Sequence, residues 1–422
     1  MDGQPGQPGP SAQAAPPRHA EADPAADVLV IGGGVIGLAI AWRAAQRGLR
    51  VTLADPAPAG GATHAAAGML TPVAEAAYAE RELFALGSES LDRYPAFAAE
   101  LTELTGLPTG FRPTGTLQVA YDSDDLAVLT EQHRLQESFG RAARRLTGRE
   151  CRAAEPMLDP SVRGGLLADG DGSVDPRLLA RALLAAARQA GVCFRHQRAA
   201  EIGTAGDPAD RVTGARLADG SAVLAPRVVL AAGWESVAIA GLPAAAVLPV
   251  RPVKGQILRL RPTAAMRAAG LPAALLSRTV RGLVRGSAVY LVPRQDGELV
   301  VGATQEEMGP DTTVTAGGVW ELLRDARLLV PGITELELAE AVAGLRPGTP
   351  DNAPVIGPGA LAGLVWATGH FRGGVLLAPV TADLVTGYLE SERLPALALP
   401  FTAQRFRAVL PGGQEMRAAS WR

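Results

Sequence analysis

Residues 27 to 55 constrain this chain more than any other stretch. Asp27-Val-Leu-Val-Ile31 is a short apolar run rich in β-branched residues, the pattern of a buried parallel strand. It leads straight into Gly32-Gly33-Gly34-Val35-Ile36-Gly37, which satisfies GxGxxG. A helical pattern follows from Leu38 to Arg47, with Gly48 as its C-cap. A second strand, Arg50 to Ala54, ends at Asp55. Each part has a physical job. Gly32 permits the tight turn, Gly34 lets backbone approach a pyrophosphate, and Gly37 lets helix and strand pack closely. Free N–H groups at the helix start, Val35 and Ile36 among them, then face the phosphates. Asp55 can accept from ribose hydroxyls, and its charge would repel a 2′-phosphate, which disfavours NADP. The unit is a dinucleotide-binding βαβ and does not by itself separate FAD from NAD.

Two further segments narrow the choice. Gly60-Gly-Ala62-Thr63-His64-Ala-Ala-Ala67-Gly68-Met69-Leu70 is dense in small residues, so its backbone can lie against a flat ligand. Near the other end, Leu364 to Thr368 reads as a strand. Gly373-Gly374 opens a long apolar pattern through Leu389, read as a buried helix beginning there. A helix N-terminus aimed at a flavin would stabilise the negative charge of its reduced form.

These segments resemble the D-amino-acid oxidase superfamily of flavoproteins, and more narrowly its glycine oxidase branch, linked to thiamine biosynthesis. The βαβ unit followed by Ala65-Ala-Ala-Gly-Met-Leu70 is one part of the resemblance. Gly344-Leu-Arg-Pro-Gly-Thr-Pro-Asp-Asn-Ala-Pro-Val-Ile-Gly357 is similar to the superfamily's RPxTPDxxPxIG signature. Gly369-His370-Phe371-Arg372-Gly373-Gly374-Val375-Leu376-Leu377-Ala-Pro379 is similar to the glycine oxidase C-terminal FAD motif. The similarity runs from about Asp27 to about Glu390, and the motifs fall in the right order.

The resemblance implies non-covalent FAD, bound by Gly32, Gly34, Val35, Ile36, Gly37, Asp55, Ala62, Thr63, Ala67, Gly68, Met69, Ala199 and the 370–376 motif. It implies an α/β fold: a Rossmann-like FAD-binding domain with a mixed, largely antiparallel substrate domain, as in the D-amino-acid oxidase and glutathione reductase type. The expected FAD domain is discontinuous, 27–75 with 160–248 and 345–400. The strand-like Arg227 to Ala232 and the helical Arg177 to Gly191 belong to it. The substrate domain is expected at 76–159 with 249–344. There Val289–Pro293 and Glu298–Ala303 flank Arg294-Gln-Asp-Gly297, an Asp-Gly hairpin signal. Thr116 to Tyr121 and Gln256 to Leu260 are further strands. Residues 1–26, rich in Pro, Gly, Ala and Gln, are expected to be a disordered tail, and 401–422 a C-terminal tail.

A small amino-acid substrate needs its carboxylate held, and a bidentate arginine is the best single group for that. The resemblance gives this role to Arg346, with the Tyr290 hydroxyl beside it. Arg372 stands either near flavin and substrate or in a salt bridge that pins the motif; both readings remain open. Three positions depart from the family pattern: His64, Gln305 and Ala288. The implied reaction is oxidative deamination of glycine, with O2 reduced to hydrogen peroxide. The alternative is another D-amino-acid or secondary-amine oxidase or dehydrogenase of the same superfamily. An NAD-dependent dehydrogenase would leave the 369–374 region unexplained. A nucleotide-binding scaffold without turnover would leave Arg346, Tyr290 and Arg372 without a use.

Composition excludes other classes. The 422 residues carry a net charge of −3, which gives no basis for binding nucleic acid or an anionic membrane. The longest apolar stretch, Val228 to Val250, is interrupted by Glu235, Gly241, Pro243 and Pro249 and is a poor membrane span. Cys151 and Cys193 are the two cysteines, in no metal-ligand spacing, and no HExxH occurs, so no metal site is expected. The cysteine usage points to a reducing cytoplasm. The family resemblance implies a homotetramer.

Overall fold

The computed structural model describes residues 26–141, 143–269 and 274–409, without the side chains of 407–409. The expected tail at 1–26 therefore lies, apart from Ala26, outside the described residues. Two large sheets organise the rest. The first has six strands in the order Val355–Pro358, Leu364–Thr368, Val228–Leu230, Val28–Ile31, Val51–Ala54, Cys193–Arg195. Its pairs are parallel except the outermost, Val355–Pro358 with Leu364–Thr368. The central strands are buried along their whole length and apolar except at Thr52 and Thr368, as a parallel sheet covered on both faces requires.

One face is covered by the helices Val35–Gln46, Pro176–Gln189, Arg81–Thr105 and Ala378–Ser391, which share one apolar core. Val35–Gln46 is buried on nearly every side, which explains its run of Val, Ile, Leu, Ala and Trp. Pro176–Gln189 shows a clean start: Asp175 accepts from the N–H groups of Arg177 and Leu178, and proline fills the first position. The other face carries a three-stranded antiparallel sheet built from Ala199–Gly206, Ala209–Leu217 and Ala222–Leu224.

The second large sheet has eight strands in the order Glu337–Gly348, Arg251–Arg261, Leu299–Gly302, Ser287–Pro293, Thr279–Val284, Thr116–Ala120, Gly164–Ala168, Arg144–Thr147. All pairs are antiparallel except Thr279–Val284 with Thr116–Ala120. The Asp-Gly hairpin forms where expected: Arg294 N–H donates to the Glu298 carbonyl, and Gly297 takes a φ of 89° that suits glycine. Register brings Gln118, Arg281, Tyr290, Gly302, Ile257 and Val342 into one row across six strands. Because strand side chains alternate in direction, one row faces one side of the sheet.

Sheet membership moves several expected boundaries. The helix Arg81–Thr105 falls in the block expected for the substrate domain. Its Leu86, Leu91, Tyr94, Phe97 and Leu101 nevertheless pack with the helices of the six-stranded sheet. Their spacing is helical, and the charges occupy the outer face. Gly164–Ala168, inside the expected 160–248 block, pairs in the eight-stranded sheet. Glu337–Gly348 runs unbroken through the expected boundary at 345. The tail expected from 401 opens on packed residues: Phe401 is 2% exposed, and Arg405 bonds to Asp351. Residues 410–422 lie outside the described residues.

Candidate active site

A cavity of about 1240 Å3 lies between the two large sheets. One end is lined by Gly32, Gly34, Val35, Ile36, Asp55 and Thr63, the other by Met69, Tyr290 and Arg346. The volume exceeds the common range for drug-sized ligands, roughly 300–1,000 Å3, and suits a long cofactor with a small substrate.

Two glycines of the motif have a steric reason. A Cβ on Gly32, whose φ is +105°, would stand 2.5 Å from the Ala231 carbonyl. A Cβ on Gly37 would stand 1.9 Å from the Gly32 carbonyl oxygen. Gly37 itself lies beneath the turn, outside the cavity lining. Asp55 accepts from Gly33 N–H at 2.6 Å and Ala57 N–H at 2.7 Å, so its carboxylate is fixed at the cavity edge. One expectation changes. The Val35 N–H donates to the Thr63 hydroxyl at 3.0 Å and is not left for a phosphate. Thr63 comes from the small-residue loop, so that loop caps the helix and is pinned to it. The first turn holds no acidic residue, and the site can still take an anion. Ala199 starts a strand, is buried, and does not line the cavity; its neighbour Arg198 does.

The C-terminal motif differs from its reading as a helix start. Phe371–Gly373 is one 3-10 turn, and the α-helix begins only at Ala378. Pro379 explains the delay, since it has no N–H to give to the Val375 carbonyl. The Tyr94 hydroxyl donates to that carbonyl at 2.8 Å, and the Ser90 hydroxyl donates to the Leu376 carbonyl at 2.6 Å. The helix Arg81–Thr105 thus holds the motif in place. Tyr94→Phe should lower holoprotein stability by about 1 kcal/mol, seen as a lower denaturant midpoint; an unchanged midpoint would deny Tyr94 this task.

Phe371 takes a φ of 46°, a strained value for a bulky residue, and lines the cavity beside His370, Arg372, Gly374 and Val375. Gly373 and Leu376 lie just outside the lining. His370 is 4% exposed, and its ring shares a hydrogen bond with Thr381. Burial pushes His370 down to about 3, so its imidazole is neutral at physiological pH.

At the far end, Arg346 Nη1 donates to the carbonyls of Lys254 and Thr304 at 3.3 and 3.2 Å. Among the described residues no carboxylate pairs with it. Its guanidinium lies over Gly255, where a Cβ would stand 2.2 Å from Nη2. Tyr290 lies over Gly302 in the same way, with a Cβ there 2.4 Å from the hydroxyl. Tyr290 is within hydrogen-bonding reach of Arg346, and burial pushes its hydroxyl up, against the pull of Arg346 and Arg281. It therefore stays a donor at neutral pH. Arg372 is different: its side chain is 40% exposed and pairs with Glu80 at 3.3 Å.

Sequence reasoning missed several lining groups. Arg281 pairs with Glu75 at 2.6 Å inside the cavity. The turn carrying Glu75 is held by buried side chains. Asp171 accepts from Val73 and Ala74 N–H, while Gln118 and Gln136 donate to the Ala74 and Val73 carbonyls. Asp171 lies about a hundred residues from this turn, and no local pattern links them. Gly255 and Gly302 could have been suspected, since glycine inside a strand marks close approach. Among the described residues no cluster of His, Cys, Asp or Glu could hold a metal, and no helix is long and apolar enough to cross a membrane.

A Rossmann-like arm with a fixed acid, joined by one long cavity to an arginine-bearing sheet, defines a dinucleotide-dependent oxidoreductase. The glycine cradle, the anion-ready helix start and the cavity's volume fit FAD. The chain belongs to the FAD dependent oxidoreductase family, whose model matches residues 27–388. FAD is its cofactor. It is 34% identical over 385 residues to the bifunctional protein ThiO/ThiG of Trichormus variabilis, covering 90% of this chain and 55% of that protein. This chain spans about half the length of such bifunctional relatives. It is 34% identical to a glycine oxidase of Geobacillus kaustophilus over 384 residues, covering 90% and 97%. The crystal structure of glycine oxidase from that organism superposes with a TM-score of 0.81 at 32% identity, covering 90% of this chain and 98% of the other.

Proposed function

We propose that this chain oxidises glycine, and with it sarcosine or small D-amino acids, to the imine, which hydrolyses to the oxo acid and ammonia. Bound FAD supplies the two-electron acceptor, and O2 takes the electrons onward to give hydrogen peroxide. One observation carries the reading: Arg346 presents a guanidinium to the cavity with no carboxylate partner among the described residues. In this proposal Arg346 and the Tyr290 hydroxyl bind the substrate carboxylate. Gly255 and Gly302 leave the room that both side chains need. His370, neutral and bonded to Thr381, supports the motif turn and carries no charge toward the cofactor. Arg372 pins that turn through Glu80 and is not assigned to substrate.

The cofactor-binding positions named from the sequence belong to the same proposal, with Thr63 as helix cap and Arg198 in place of Ala199 at the adenosine end. So does a division into a discontinuous FAD domain and a substrate domain. The names of the relatives support a role in supplying glycine imine for the thiazole of thiamine. A cytoplasmic homotetramer is the assembled form this reading implies. The test is a paired assay of the purified protein with glycine and air. Equal yields of hydrogen peroxide and glyoxylate are expected. Absence of both with glycine, but peroxide with another small amine, would reassign the substrate.

A further inference from the structure

Arg294 lies in the hairpin turn of the eight-stranded sheet and is 5% exposed. Its Nη2 donates to the Ala67 carbonyl at 2.6 Å, and its Nη1 donates to the Val174 carbonyl at 3.0 Å. Its Nε has no hydrogen-bond partner; the nearest carboxylate oxygen, of Asp175, lies 3.7 Å away. Burial pulls its guanidinium down to about 10, so it remains a cation at neutral pH. A buried cation is costly, and two carbonyls alone do not require a full charge. A neutral amide could bond both.

One of these carbonyls, that of Ala67, belongs to the cavity wall. Ala67 and Gly68 line the cavity, and neither N–H donates to a protein acceptor among the described residues. Gly68 is held on its other side, where Val174 N–H donates to its carbonyl at 2.8 Å. Its φ is +76°, and a Cβ there would stand 2.1 Å from the Val174 carbonyl oxygen. The peptide that joins Ala67 to Gly68 therefore has one fixed orientation. A cation on its carbonyl polarises that peptide and strengthens its N–H as a donor.

We propose that Arg294 is a positioning residue for the flavin: its buried charge fixes and polarises the Ala67–Gly68 peptide, and so raises the reduction potential of the bound cofactor. This rests on FAD as cofactor and not on glycine as substrate. Three FAD-loaded variants test it: Arg294→Met, Arg294→Lys and Asp175→Asn. The readouts are the midpoint potential, by anaerobic dye-equilibrated titration, and FAD release, by flavin fluorescence. In Arg294→Met the ratio of reduced to oxidised flavin at fixed potential should fall about tenfold, the weight of one charge-assisted contact, and FAD should be released more readily. Arg294→Lys should retain most of the potential. Asp175→Asn should shift it upward, because it removes the countercharge while asparagine still caps the helix. An unchanged potential in Arg294→Met, whatever its melting temperature, would overturn the proposal. So would an unchanged or downward shift in Asp175→Asn, which decides the matter even where Arg294→Met does not fold.

Discussion

Replacing Arg346 by alanine should lower kcat/KM for glycine by about a thousandfold while FAD stays bound. A fork of two charge-assisted hydrogen bonds to a carboxylate contributes on the order of 3–6 kcal/mol, and about 1.4 kcal/mol is tenfold. Part of that is recovered because water enters the emptied space, so about a thousandfold is the expected remainder. The loss should fall mainly on KM, since the carboxylate is held in ground and transition states alike. Lysine at 346 should rescue little, because it offers a point charge and no planar fork. Gly255→Ala should mimic part of the loss, as its methyl would stand 2.2 to 2.4 Å from three guanidinium atoms. Steady-state peroxide kinetics together with the visible spectrum would check this. Wild-type kinetics in Arg346→Ala would remove Arg346 from the substrate site.

The second large effect falls on the cofactor. In Gly37→Ala the added methyl would meet the Gly32 carbonyl oxygen at 1.9 Å. The methyl is fixed directly to the helix backbone and the oxygen is backbone of a buried turn, so neither has a flexible end to move aside. The helix must lift from the strand, and the turn facing the pyrophosphate must open. A destabilisation above about 4 kcal/mol and a colourless protein are expected. Flavin absorbance per protein and thermal unfolding measure both. Full flavin content in Gly37→Ala would show that the turn is looser than the structure has it.

The parts legible in the sequence were those where function or geometry leaves a local mark. The strand, glycine turn, helix and Asp55 follow each other within thirty residues, and each obeys a local steric rule. Leu364–Thr368 and the Asp-Gly hairpin were visible for the same reason. What stayed hidden depends on contacts between distant residues. Ser90 and Tyr94 look like ordinary helix positions until the Leu376 and Val375 carbonyls are placed above them. Pro379, the cause of the late helix start, was in plain view, and the apolar pattern through Leu389 outweighed it. Thr63 as a cap for Val35 could not be read locally, since 28 residues separate them. Arg372 had two open readings: its pairing with Glu80 across the fold fits the second, and its place in the cavity lining fits the first.

The most direct measurement is an anaerobic titration of the purified holoprotein with glycine, following the visible flavin spectrum. Bleaching of the bound flavin by glycine, reversed on admitting air with release of hydrogen peroxide, is the predicted result. A yellow protein whose spectrum glycine leaves unchanged would contradict glycine as the substrate.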